Sequence, residues 1–101
     1  MHIVVSWDIS VNGDKWKEIN DALKSCLKGY SWVKPLRTLY IVQVQTVDER
    51  KTIKNSMIEV CKKYSAEIDL VISPVMEGGN YAGWLPKELW TKIKARVGGA
   101  A

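Results

Sequence analysis

One histidine and two cysteines among 101 residues are too few nitrogen and sulfur ligands for a four-ligand zinc site without added carboxylates. No C-x-x-C or H-x-x-x-H spacing occurs. The same scarcity leaves no Ser-His-Asp or Cys-His arrangement except through His2, at the start of a strand and with no obvious partner. Long apolar runs are missing too. Leu39-Tyr40-Ile41-Val42 is far short of the ~20 residues that span a bilayer. Asp8 interrupts the apolar start before a secretory h-region develops, and no basic n-region precedes it, so a cytoplasmic protein is expected. The stretch Glu77-Gly78-Gly79-Asn80 lacks both the lysine of a P-loop and G-x-G-x-x-G spacing, and reads as a linker.

What is present suits one core. Hydrophobic residues make up 47% of the chain, and Cys26 and Cys61 fall on apolar helical stripes, where a reduced thiol acts as a small hydrophobe. Fifteen basic residues against eleven acidic give a net charge of +4, which favours contact with phosphate without requiring it. Lys87, Lys92, Lys94 and Arg96 gather near the end and read as a solvated face, whereas Lys34 and Arg37 flank a predicted strand.

The unbroken run Ile3-Val4-Val5 predicts a strand from His2 to Asp8. Asp14 is expected to cap a helix that places Trp16, Ile19, Leu23, Cys26 and Leu27 on one face and stops near Gly29. Residues 30–34 and 38–45 then read as an antiparallel pair around Pro35-Leu36-Arg37. Thr46 and Glu49 have capping-box spacing ahead of a helix with Ile53, Met57, Val60, Cys61 and Tyr64 on its apolar side. Alternation from Ile68 to Ile72 marks a fourth strand before Pro74, and Leu85-Pro86 opens a short terminal helix over 85–96.

This order predicts an α+β ferredoxin-like βαββαβ fold, a four-stranded antiparallel sheet with a short C-terminal helix. One domain over residues 1–97 is expected, with 98–101 as a flexible tail. Two helices on one face leave the other bare, and a homodimer is the expected cover.

Asp8 ends the first strand, where it can cap a turn or face a ligand. A catalytic or metal-binding role for it requires a second carboxylate, which a two-fold axis could supply as the partner's own copy, with Mg²⁺ as the cofactor. Without such chemistry no cofactor is expected. Ser6, Trp7 and Ser10 beside it, Lys34 and Arg37 for phosphate, and Tyr81 and Trp84 for stacking complete the candidate ligand-binding set.

The segment Val4-Val5-Ser6-Trp7-Asp8-Ile9-Ser10 resembles the first strand of the Cas2-like superfamily, where an aspartate follows an apolar strand. Through Tyr30-Ser31-Trp32-Val33-Lys34-Pro35-Leu36-Arg37-Thr38-Leu39-Tyr40-Ile41-Val42 it is similar to the SinR-like branch of small bacterial and phage proteins. The resemblance covers residues 2–73. It implies a ferredoxin-like homodimer in which Asp8 stands where Cas2 proteins place the aspartate linked to magnesium-dependent cleavage of RNA or DNA, although many Cas2 proteins serve as structural carriers of DNA. The chain departs from Cas2 in lacking the arginine-rich first helix, and in having Thr38-Leu39-Tyr40-Ile41 where the family has glutamine-serine-valine-phenylalanine.

Three functions follow as expectations. The first is a non-catalytic binder of nucleic acid or a nucleotide-derived small molecule. The second is a Mg²⁺-dependent nuclease using paired Asp8, and the third a protein-interaction module presenting its aromatic C-terminal segment.

Overall fold

The computed structural model describes residues 1–64, 67–79 and 81–97. The expected tail at 98–101, and Asn80 within the expected linker, lie outside the described residues. The elements run β1 (His2–Ile9), α1 (Gly13–Ser25), β2 (Trp32–Leu36), β3 (Leu39–Gln43), α2 (Val47–Lys63), β4 (Ile68–Ile72) and α3 (Lys87–Val97). The four strands form one antiparallel sheet in the order β2-β3-β1-β4, which is the ferredoxin-like arrangement that the element order predicts.

Strand pleating divides β1 between two faces. Ile3, Val5 and Trp7 pack with Tyr40 and Val42 of β3 beneath α1, which contributes Ile19 and Leu23, and α2, which contributes Ile53 and Met57. The Thr46 cap forms as its spacing predicts, and the reciprocal bond of the capping box falls one residue before the N-cap, on Gln45. The Glu49 N–H donates to Thr46 Oγ1 at 3.2 Å, and the Glu49 carboxylate accepts from the Gln45 N–H at 2.7 Å. The start of α1 differs from expectation. Its N-cap is Asn12, without a side-chain capping bond, and Asp14 sits in the first turn, where its charge suits the positive end of the helix dipole. Trp16 also departs from the expected apolar stripe and is exposed. Cys26 and Cys61 are free thiols and half-buried, and burial pushes both thiols up.

The second face is covered by the chain itself over its β2–β3 side. Ile93 and Val97 of α3 pack with Val33 and Ile41, and Val4, Leu39, Leu85, Leu89 and Trp90 surround them. The expectation that a second copy would cover this region is therefore corrected: the Leu89-Ile93-Val97 stripe needs an apolar partner, and the sheet supplies one. Pro86 stands just ahead of α3, and its carbonyl accepts from the Leu89 and Trp90 N–H groups at 3.0 and 3.4 Å.

Leu36 and Leu39 pair across a two-residue turn, Arg37-Thr38. Turns of that length usually need residues with positive φ, and neither has one. The register shifts between Val33 and Leu36 instead, around Pro35, which has no N–H to contribute to the ladder.

Candidate functional site

Side chains on the second face become more exposed along β1. His2 is buried, Val4 and Ser6 are half-buried, and Asp8 is exposed. This gradient separates two places where chemistry gathers.

The first is an apolar groove of about 270 Å³ between the β2–β3 turn and the segment leading into α3. Pro35, Leu36 and Leu39 form one bank, and Tyr81, Trp84 and Leu85 form the other. Trp90 and Ile93 of α3 reach it as well. Trp84 is 99% exposed, an unusual position for the largest apolar side chain. Tyr81 is anchored. Its hydroxyl lies 2.6 Å from Nε2 of His2, and the two rings are tilted with centroids 5.6 Å apart. Gly79 lies beneath that ring, where a Cβ would stand 2.8 Å from Tyr81, so a side chain at 79 would displace it.

The second place is the bare end of the same face. There β1 and β4 pair so that Asp8 lies directly opposite Asp69, and Ser6 opposite Val71. These four line a shallow cavity of about 310 Å³. A second carboxylate for Asp8 thus comes from the same chain, where a two-fold axis was the expected source. Among the described residues no third histidine, cysteine or carboxylate joins the pair.

The remaining predicted site residues scatter. Trp7 is 6% exposed, stacked on Tyr40 with centroids 4.7 Å apart, and its indole N–H donates to Asn20 Oδ1 at 3.1 Å. It belongs to the core and offers no open ring for a ligand, because its odd position on β1 points it under the helices. Lys34 lies over the Tyr40 ring, 5.4 Å from the centroid, on the helix-covered face and so opposite Tyr81 and Trp84. Arg37 is exposed in the turn beside the groove. Ser10 is exposed past the end of β1, and its backbone N–H donates to the Glu67 carbonyl at 2.9 Å.

Sequence reasoning missed Asp69 and the groove bank at Pro35 and Leu36. The alternation from Ile68 to Ile72 already put Asp69 on the face away from the helices, but only the β1–β4 register shows that it meets Asp8.

No family model matches the chain, and no curated protein matches it. The Cas2-like and SinR-like resemblance rests on the residues quoted for it. Among the described residues, no helix is long and apolar enough to cross a membrane.

Proposed function

We propose that the protein is a Cas2-like homodimer that binds nucleic acid or a nucleotide-derived ligand without catalysis, with a base of that ligand seated in the groove beside α3. The observation that carries this reading is the convergence of Tyr81, Trp84 and Trp90 on one open apolar groove. Stacking on aromatic side chains contributes about 1–3 kcal/mol per base. An exposed tryptophan beside an apolar groove is otherwise a liability for a lone chain. For the dimer, the support is β4, which among the described residues pairs with β1 alone, and its Val71 on the open face, 71% exposed.

The test is titration of the protein with adenosine, mono- and cyclic nucleotides and short oligonucleotides, followed by calorimetry and melting temperature, with light scattering for the oligomeric state. Trp84→Ala is expected to weaken the preferred ligand about 5- to 150-fold, the factor that 1–3 kcal/mol of lost stacking implies. Unchanged affinity in that variant would remove the groove from the reading. Silence across all nucleotides would favour the protein-interaction alternative.

The pairing of Asp8 with Asp69 favours a second reading, a Mg²⁺-dependent nuclease. Magnesium is commonly held by one or two carboxylates with substrate phosphates completing its shell, and these two residues with Ser6 are the donors that would serve. The ion would supply charge neutralisation at a phosphodiester. Oligonucleotide fragments formed with Mg²⁺, abolished by EDTA and by Asp8→Asn, would establish this reading over simple binding.

A further inference from the structure

The groove takes a ring and offers little to a phosphate, since no lysine or arginine is among its lining residues. Charge lies beside it on α3. α3 carries Lys87, Lys92, Lys94 and Arg96 against one acid, Glu88. At 3.6 residues per turn, Lys87 and Lys94 fall on the same side of α3 as Trp90, three residues before it and four after. Both lysines are exposed. The salt bridges among the described residues join Lys17 to Asp21 and Lys62 to Glu59, so neither Lys87 nor Lys94 is neutralised by a carboxylate. A rise of 1.5 Å per residue sets their Cα atoms roughly 10 Å apart along the axis, with the groove-lining tryptophan between them. Arg37 stands on the opposite bank beside Leu36.

Size narrows the occupant further. A volume of about 270 Å³ is below the roughly 300–1,000 Å³ of sites that enclose drug-sized ligands, and fits one ring system better than the two bases of a dinucleotide. Bases in a duplex are stacked and paired, whereas unpaired bases splay onto aromatic side chains.

We propose that the ligand is single-stranded nucleic acid, with one unstacked base between Tyr81, Trp84 and Trp90 and the phosphates on either side of it running past Lys87 and Lys94. This rests on the groove reading above and names its ligand class. Two of the four basic residues that read as a solvated face, Lys87 and Lys94, become the track for a backbone, while Lys92 and Arg96 fall on the opposite side of α3; the apolar groove is the point where the strand leaves that track.

The test compares adenosine, cyclic AMP and hexaadenylate RNA over a range of salt concentrations. Wild type, Trp84→Ala and the double variant Lys87→Gln/Lys94→Gln are each checked for an unchanged circular dichroism spectrum. Wild type is expected to bind the hexamer more tightly than either small probe, with affinity falling steeply as salt rises. The lysine double variant is expected to lower the slope of log K against log salt by about 1.4, or 0.7 for each phosphate no longer neutralised, and to leave adenosine binding unchanged. Trp84→Ala is expected to weaken all three probes. Cyclic AMP binding as tightly as the hexamer, or a salt slope untouched by the double variant, overturns the strand and leaves the groove. Failure of all three probes to bind wild type, or indifference of all three to Trp84→Ala, overturns both. Saturable binding of a leucine-rich amphipathic peptide in place of the nucleotides also overturns both.

Discussion

His2 and Tyr81 join the first strand to the segment that precedes α3, through a hydroxyl 2.6 Å from a buried imidazole nitrogen. Among the described residues the other ring nitrogen, Nδ1, has no hydrogen-bond partner. Burial lowers the His2 pKa from its ordinary 6.5; the Val97 carbonyl opposes this in part, and the amino terminus adds to it. Glu77 and Tyr81 flank the same cavity, and burial raises the Tyr81 pKa, so the phenol stays neutral. Because the folded pKa lies below the unfolded one, the unfolded chain binds the extra proton first as pH falls. Stability from this group is therefore complete above about pH 6.5 and declines from there down to the folded pKa. Urea midpoints are expected to be level between pH 8 and 7 and to drop below 6.5. His2→Gln, which cannot titrate, should flatten that step; a step that persists would assign it to another group.

Trp7 is expected to be structural. Trp7→Ala removes a ring stacked on Tyr40 and should lower unfolding free energy by about 3–5 kcal/mol, read from urea denaturation. Trp7→Phe keeps an aromatic ring but leaves the Asn20 acceptor without its indole donor, at a smaller cost of about 1 kcal/mol. Ligand affinity should be unaffected in the phenylalanine variant, which separates a core tryptophan from a stacking surface.

Ile93 and Trp84 should behave in opposite ways although both line the groove. Ile93 is nearly inaccessible beneath α3, so Ile93→Ala should destabilise by about 2–5 kcal/mol. Trp84→Ala removes a side chain that buries almost nothing and should change stability by about 0.5 kcal/mol or less. Equal losses in thermal denaturation would mean that Trp84 packs where it stands exposed here.

Asp8 faces Asp69 across adjacent antiparallel strands, and like charges in that position repel. Asp8→Asn should therefore raise stability, by about 0.2–1 kcal/mol, with the gain shrinking as salt screens the pair. Melting temperatures of the two proteins at low and high salt measure this. A loss of stability would show that the carboxylate accepts bonds on which the turn after β1 depends.

Periodicity carried the strands and helices well because each has one apolar face of regular spacing. Ile53, Met57 and Tyr64 lie where a period of 3.6 places them, and Ile3, Val5 and Trp7 where a period of 2 does. What periodicity does not contain is the partner of each face. Leu89, Ile93 and Val97 mark α3 as a packing helix in the sequence, yet nothing local says that it lies on Val33 and Ile41, 48 to 64 residues earlier. The candidate site suffered from the same gap. Its charge and its place beside a strand group Lys34 with Tyr81 and Trp84 in the sequence, but it follows Val33 by one residue, and one residue on a strand is a change of face. Asp69 was invisible as a neighbour of Asp8 because register is a property of two strands and of neither alone.

The docking of α3 sets the order in which apolar sheet surface is buried as the chain is synthesised. Every strand is synthesised before α3, so Val4, Val33, Leu39 and Ile41 can assemble into a sheet while the helix that covers them has not yet emerged. During that interval the nascent protein carries an apolar surface that α3 removes, and a chain stalled or ended before α3 would keep it permanently.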